Sequence, residues 1–196
     1  MGVNQFIVRS VLILALTLSN SIIPVASAQR TPLEGDMFPD LKLSLPQKME
    51  EREYLKIDRG PFMLSEVDSE VLIVQIFSIY CHICQKEAQN VNSLFSAMTS
   101  NSEVNSRIKL VAIGAGNSPF EVNAFRELFK VRFPLIPDGD FSVHKKLGEV
   151  RTPYFFVLLK KPTGRLVVFS KAGTIENPDA FLESVCDRTG VARNKR

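Results

Sequence analysis

The sequence contains no tryptophan, and with three cysteines and two histidines it has few of the residues that usually hold metal ions. A structural zinc site needs about four ligands. Beyond the close pair Cys81 and Cys84, only Cys186, His82 and His144 could supply sulfur or nitrogen ligands. This scarcity argues against a structural zinc site, and we expect the protein to need no metal and no organic cofactor.

Charge of one sign is not in large excess. Lysine and arginine total 24 against 21 aspartate and glutamate residues, which gives a net charge of +3. The basic residues are scattered except at 189–196, which we interpret as a solvated basic tail. We therefore expect no nucleic-acid partner. The chain also lacks repeats, low-complexity tracts and a second-domain linker, and its 45% hydrophobic content suffices for one core.

Long apolar runs are absent except near the N-terminus. Within residues 1–28, Arg9 is the only charge, residues 11–18 form an apolar core, and Ala26-Ser27-Ala28 supplies small residues. This pattern predicts a secretory signal peptide cleaved after Ala28, and export most simply to the periplasm. An uncleaved membrane anchor is the alternative, because the apolar stretch extends to Val25. No cysteine lies near the cleavage site, so a lipoprotein anchor is not predicted.

The two neighbouring cysteines follow a predicted strand and precede a predicted helix. Leu72–Phe77 is a nearly continuous β-prone run that is typical of a buried strand. From Gln85 onward, apolar residues recur at three- and four-residue steps, as in an amphipathic helix. Cys81 then lies at the positive end of a helix dipole, which favours its thiolate. Cys84, one turn later, is placed to attack a mixed disulfide formed on Cys81.

Thiol–disulfide exchange explains this pair better than the other uses of two cysteines at this spacing. Three cysteines in an exported chain can form one disulfide and leave one over. A Cys81–Cys84 disulfide would be a poor structural staple, because the stabilisation from closing a loop grows with its length. Gln85 stands where haem attachment requires histidine. We therefore predict a redox-active disulfide between Cys81 and Cys84, with Cys186 as a buried inert thiol.

The remaining chain alternates strand and helix patterns. Alternation predicts parallel strands joined by crossover helices, and a final hairpin adds antiparallel strands. We expect one α/β domain at residues 35–188 after a flexible lead at 29–34. The predicted elements are an edge strand at 35–44 with a hairpin partner at 53–57, a loop at 99–106, strands at 108–114, 133–136, 153–159 and 165–170, and helices beginning near Ser118, Phe141 and Asn177.

Together these features resemble the thioredoxin superfamily, and most closely the exported TlpA/ResA-like branch of the redoxin group, which is related in outline to AhpC/TSA-type peroxiredoxins. The resemblance implies a thioredoxin-like three-layer α/β/α sandwich with an N-terminal β-hairpin and a central αβ insertion. The segments that carry it are residues 35–43, 64–77, Cys81-His-Ile-Cys-Gln-Lys-Glu87, 118–121, 133–140 and Thr152-Pro153 with the strand to Leu159.

The resemblance also implies roles for individual residues. Cys81 would be the attacking thiol, Cys84 the resolving thiol and Pro153 the cis-proline that lies against the dithiol. A cis bond there would leave the Thr152 backbone free to pair with an extended substrate. Such a protein would reduce protein disulfides in an oxidising compartment and would draw electrons from a membrane thiol partner.

Several positions depart from the family's pattern. Tyr80 stands in place of the usual tryptophan, Gln75 in place of a buried acid, and Gln89 in place of a helix-kinking proline. We interpret Tyr80 and Gln75 as packing or supporting groups. His82 has two interpretations: protonated, it would stabilise the Cys81 thiolate, or it is an exposed helix residue without influence.

Two other functions stay open. A thiol peroxidase would usually carry a threonine or serine three residues, and a proline seven residues, before its cysteine; Ser78 fits the first place, but Val74 occupies the second. A Cu(I)-binding chaperone would use the cysteines and a histidine such as His144, although redoxin-like copper chaperones space their cysteines more widely. Otherwise we predict His144 to be a surface residue and Glu87 a solvated helix residue.

Overall fold

The computed structural model describes residues 29–191, so the predicted signal peptide and residues 192–196 of the predicted tail lie outside the described residues. In chain order the elements are β1 (Met37–Phe38), β2 (Lys42–Leu43), α1 (Met49–Leu55), β3 (Phe62–Met63), a 3-10 helix (Leu64–Glu66), β4 (Val71–Phe77), α2 (His82–Thr99), α3 (Ser102–Arg107), β5 (Ile108–Ala115), α4 (Pro119–Phe129), β6 (Leu135–Asp138), α5 (Ser142–Lys146), β7 (Tyr154–Lys161), β8 (Gly164–Ala172) and α6 (Pro178–Thr189).

The centre of the domain is a six-stranded mixed sheet with the strand order β1-β8-β7-β4-β5-β6. Strands β4, β5 and β6 are parallel, whereas β7 runs antiparallel to both β4 and β8. The predicted parallel strands and the closing antiparallel hairpin are confirmed. Within the described part of the chain, no helix is both long and apolar enough to cross a membrane.

Alternate residues of β4 face opposite sides of the sheet, and both sides are covered. Val71, Ile73 and Phe77 belong to an apolar cluster with residues of α2, α4 and α6. The intervening Leu72 and Ile76 belong to a second cluster with residues of α1, α5, β2 and β3. Because both faces are buried, every residue of β4 is apolar except Gln75. The predicted three-layer arrangement is confirmed.

Two helix starts match their sequence signals. Ser118 caps α4, where its hydroxyl accepts from the Glu121 N–H while the Glu121 carboxylate accepts from the Ser118 N–H, and proline follows the cap. At α6, the side-chain oxygen of the cap Asn177 accepts from the Ala180 N–H at 3.0 Å. The helix and the strand of the predicted central αβ insertion are α4 and β6.

The predicted partner strand of the N-terminal hairpin is wrong. Most of residues 53–57 lies in α1 and the turn that follows it, while β1 pairs with β8 and β2 pairs with β3 in a separate two-stranded sheet. This segment is helical because α1 buries Glu51 and Leu55, which are four residues apart on one face of a helix. The edge-strand prediction for 35–44 is confirmed in part: of the two strands in this range, β1 lies at an edge of the six-stranded sheet, whereas β2 does not belong to that sheet.

The predicted loop at 99–106 is also wrong. Asn101 caps the short helix α3 by accepting from the Val104 N–H at 3.2 Å, and Val104 packs into the core. The stretch is polar overall, but it contains one side chain that is buried in the core, Val104, and one helix cap, Asn101. These two features are enough for a short helix that packs on a sheet.

Candidate active site at the start of α2

The topology brings Cys81 next to Thr152. Strand β4 ends at Phe77, and β7 runs antiparallel to it with Tyr154 opposite Ile76, so the residues before β7 lie beside the residues after β4. The Cys81 thiol donates to the Thr152 carbonyl oxygen across 3.3 Å. The Thr152–Pro153 peptide bond is cis, as the resemblance implied.

Cys81 is the N-cap of α2. Its Sγ accepts a hydrogen bond from the Cys84 N–H at 3.2 Å, in the place where a serine or asparagine oxygen would usually cap a helix. The helix begins at His82, three residues before the apolar pattern that predicted it. Cys81 is half-buried and Cys84 is buried, so one sulfur faces outward and the other lies in the core.

The surroundings separate the acidities of the two thiols. Burial disfavours the Cys81 thiolate, but hydrogen bonds from the Cys84 and Thr152 side chains and from the backbone N–H groups of Cys84 and Ile83 outweigh it and hold the Cys81 pKa below its ordinary value. Burial, together with the hydrogen bond to Cys81, raises the pKa of Cys84 to about 12. Near neutral pH, Cys81 is therefore the better nucleophile and Cys84 keeps its proton.

Asn117 and Gln85 hold the loop before Cys81, and sequence reasoning missed both. The Asn117 side chain is fully buried, accepts from the Ile79 N–H at 2.9 Å and donates to the Ser78 hydroxyl at 3.4 Å. The Gln85 amide donates to the Ile79 carbonyl oxygen at 2.7 Å. One signal was present: Asn117 follows β5 as Cys81 follows β4, and neighbouring parallel strands end at the same edge of a sheet.

Of the two interpretations of Tyr80, interior packing is wrong, since 70% of its surface is exposed. Its hydroxyl donates to the Glu121 carboxylate at the start of α4, and this hydrogen bond raises the pKa of Tyr80 and lowers that of Glu121. Gln75 is buried in β4, with Ala112 and Phe155 as its neighbours in the adjoining strands.

The prediction that Glu87 is solvated is wrong, because only 1% of its surface is exposed. Its carboxylate accepts from the Ile175 N–H at 2.5 Å and from the Asn90 side chain at 3.1 Å, and burial raises its pKa. Glu87 lies on the same side of α2 as buried Cys84, where the segment before α6 offers a backbone N–H that needs an acceptor.

The two histidines lie in different surroundings. His82 is exposed, with its Nδ1 atom 3.3 Å from the Gln85 side-chain oxygen. His144 is half-buried in α5 rather than fully exposed, with its Nε2 atom 2.9 Å from the Val150 carbonyl oxygen. Cys186 is buried in α6, as predicted. Across residues 29–191, no three or more histidine, cysteine, aspartate or glutamate side chains are grouped so that they could hold a metal ion.

The order of strands, the helices on both faces and the cysteine pair at the first residues of α2 define a thioredoxin-like fold. No protein-family model and no curated protein matches the sequence. Solved structures do match, and they confirm the predicted fold.

Three of these structures show the extent of the likeness. A candidate protein disulfide isomerase from Bacteroides thetaiotaomicron aligns with a TM-score of 0.61 at 19% identity, over 81% of this chain and 90% of its own. A candidate thiol:disulfide interchange protein DsbE from Chlorobium tepidum gives 0.61 at 16% identity, over 81% and 99%. StoA from Bacillus subtilis gives 0.52 at 22% identity, over 78% and 98%. At identities this low, the similarity shows a shared fold and nothing more.

Proposed function

We propose that this protein is an exported thiol–disulfide oxidoreductase that exchanges protein disulfides through Cys81 and Cys84, and that it acts as a reductase. The observation that carries the proposal is the contrast between the two sulfurs. Cys81 is accessible and has a lowered pKa at the start of a helix, whereas Cys84 is buried one turn away with a pKa of about 12. Two of the structural neighbours bear names that describe disulfide exchange.

The reaction takes two steps. The Cys81 thiolate attacks one sulfur of a substrate disulfide, the substrate S–S bond breaks, and a mixed disulfide forms while the other substrate sulfur leaves as a thiolate. Cys81 carries no negative charge in the mixed disulfide, so one cause of the raised Cys84 pKa is removed, and the leaving thiolate takes the Cys84 proton. The Cys84 thiolate then attacks the Cys81 sulfur and releases the second substrate sulfur, which is protonated by water. Two electrons have passed from the dithiol to the substrate, and Cys81–Cys84 is a disulfide.

Thr152 and Pro153 would align the substrate beside Cys81. The Thr152 carbonyl oxygen lies 3.3 Å from the Cys81 sulfur, so an extended substrate that pairs with this backbone would bring its own sulfur to Cys81. The reductase direction rests on the family resemblance. It requires a thiol electron donor in the membrane to restore the dithiol, because each turnover leaves it oxidised.

Trapping on a defined disulfide substrate tests this function. With dithiothreitol as electron source, we expect the mature chain to reduce the disulfides of insulin. Cys84→Ser cannot complete the second step, so it should accumulate as a mixed disulfide between Cys81 and an insulin chain, visible as a mass increase without reductant.

Cys81→Ser and Cys186→Ser are the controls. The first should form no adduct and the second should turn over normally, since Cys186 lies in α6. A mature chain that reduces no protein disulfide would overturn the proposal. Export is tested separately by the N-terminus of the mature chain, which we expect at Gln29 in the periplasmic fraction.

A further inference from the structure

The N-terminal lead, residues 29–34, is hydrogen-bonded to the strands that follow Pro153. Pro32 is buried, and its carbonyl oxygen accepts from the Ser170 hydroxyl of β8 at 2.7 Å. The Ser170 oxygen lies 2.8 Å from the hydroxyl of Tyr154, the residue after Pro153. Because a serine hydroxyl has one hydrogen and Ser170 gives it to Pro32, the Tyr154 hydroxyl is the donor to Ser170. Two consecutive hydrogen bonds therefore connect the lead to the residue next to Pro153.

The lead also contacts the loop before the Thr152–Pro153 segment. A Cβ atom added to Gly148 would lie 2.5 Å from the Thr31 backbone nitrogen and 2.9 Å from the Gln29 carbonyl oxygen. Since real Cβ atoms do not come this close to other atoms, the backbone of the lead lies directly against Gly148. The lead therefore contacts both flanks of the Thr152–Pro153 segment, at Gly148 before it and through Tyr154 after it.

Other contacts hold the lead on the domain. The N–H of Gly35, the residue that follows the lead, donates to the Val167 carbonyl oxygen of β8 at 2.9 Å. The Glu34 carboxylate accepts from the Arg188 guanidinium of α6 at 3.1 Å. These contacts are distributed over β8 and α6, so the lead is held at several points along its length.

The position of Thr152 matters for the chemistry of Cys81. The Thr152 carbonyl oxygen lies 3.3 Å from the Cys81 sulfur, and a hydrogen bond from the Thr152 side chain helps to lower the Cys81 pKa. The substrate pairing proposed above uses the same backbone. Because hydrogen bonds weaken steeply when their geometry is distorted, a displacement of the Thr152–Pro153 segment would weaken all of these interactions.

Building on the proposed function, we infer that Ser170 and Tyr154 are positioning residues for the exchange of protein disulfides. Attached to Pro32, they hold the Thr152–Pro153 segment against Cys81. They act through that segment, and the N-terminal lead is the fixed point to which they attach it. The lead thereby contributes to the activity although it precedes the first strand of the sheet.

The test removes single hydroxyl groups. Ser170→Ala breaks both hydrogen bonds, Tyr154→Phe breaks one, and Ser170→Thr keeps a hydroxyl at the same position. Ser65→Ala is the matched control, because the Ser65 hydroxyl also donates at 2.7 Å, to Asp40, in the segment that precedes β4, whereas Cys81 follows that strand.

A chain that begins at Leu33 provides a second route, because it lacks Pro32 and so removes the attachment point itself. Circular dichroism and urea unfolding establish that each variant is folded. Two measurements then report on the Thr152–Pro153 segment. One is the pH midpoint of Cys81 alkylation. The other is the ratio of kcat/KM for insulin to kcat/KM for hydroxyethyl disulfide, which has no backbone to pair with Thr152.

In Ser170→Ala, Tyr154→Phe and the shortened chain, we expect the alkylation midpoint to move to higher pH. The ratio of insulin to hydroxyethyl disulfide should fall about fivefold, which is the order of size of one net hydrogen bond. Ser170→Thr and Ser65→Ala should keep both values.

An unchanged midpoint and ratio in both Ser170→Ala and Tyr154→Phe, even with lowered stability, would overturn the inference and leave the proposed function intact. Equal effects of Ser170→Ala and Ser65→Ala would do the same. An unsubstituted chain that reduces no insulin would overturn the proposed function and the inference with it.

Discussion

At the scale of single residues, the proposed chemistry depends on the different surroundings of Cys81 and Cys84, which lie one helical turn apart. Cys81 caps α2 and receives the hydrogen bonds that stabilise a thiolate, whereas Cys84 points into the core, where burial penalises the charge. The thiolate is the reactive form of cysteine. The proposed roles of Cys81 as attacking sulfur and Cys84 as resolving sulfur therefore follow from their positions along the helix.

Alkylation should report this difference directly. At pH 7 we expect iodoacetamide to modify Cys81 and to leave Cys84 unmodified, because the Cys81 pKa lies below its ordinary value and the Cys84 pKa is about 12. As pH rises, the Cys81 rate should increase through a midpoint below the value of about 8.5 for a free cysteine. Peptide mapping by mass spectrometry measures both sites.

Thr152→Val provides the matched comparison. The Thr152 side chain lowers the Cys81 pKa through a hydrogen bond, so its loss should move the alkylation midpoint to higher pH. Equal modification of both cysteines at pH 7, or a midpoint at or above the free-cysteine value, would contradict the assignment of Cys81 as the thiolate.

At the scale of elements, the loop before Cys81 is held by the turn that follows the neighbouring strand β5. Asn117 lies in the turn between β5 and α4, and it bonds to Ser78 and Ile79 in the turn between β4 and α2. These two turns meet because β4 and β5 are parallel neighbours. Because Asn117 is fully buried, a water molecule could take over the hydrogen bonds of its amide only if the surrounding residues moved.

Asn117→Ala should lower the free energy of unfolding by about 1–3 kcal/mol, because it leaves the N–H of half-buried Ile79 without its acceptor. Urea denaturation monitored by circular dichroism measures this loss. Asn123→Ala, at an exposed position of α4, serves as the comparison and should change stability by no more than about 0.5 kcal/mol. Similar effects of the two substitutions would mean that the Asn117 hydrogen bonds do not support the loop.

At the scale of the whole molecule, a buried ion pair joins α1 to α4. Glu51 and Arg126 are both buried, with guanidinium nitrogens 2.8 and 3.2 Å from the two carboxylate oxygens. The pair connects residues 75 positions apart and attaches the N-terminal helix to the helix whose first turn contacts Tyr80. Removing one partner leaves an uncompensated charge in the core.

Arg126→Met should therefore destabilise the protein by about 3–5 kcal/mol, and the double substitution Glu51→Leu with Arg126→Met should recover a large part of this loss. Chemical unfolding of the unsubstituted chain, Arg126→Met and the double variant measures both changes. The exposed Lys48–Glu127 pair, at 3.6 Å between the same two helical regions, is the control, and Glu127→Gln should cost less than about 1 kcal/mol. A double variant no more stable than Arg126→Met would show that the buried pair itself contributes net stability.

The sequence by itself determined the features that depend on neighbouring residues. The apolar run before Cys81, the helical period after it, and the caps at Ser118 and Asn177 act over a few residues, so their patterns predicted β4, α2, α4 and α6. The thioredoxin-like fold followed from these elements together with the cysteine spacing and Thr152-Pro153.

Only the tertiary structure decided which distant segments meet. The burial of Glu87 depends on the loop before α6, and the Asn117–Ile79 hydrogen bond spans 38 residues. Strand β1 pairs with β8, and not with the predicted strand at 53–57, because a two-residue strand gains its partner from the sheet edge rather than from its own sequence. Local periodicity carries no information on such contacts, since their free energy comes from surfaces that exist only after the elements have packed.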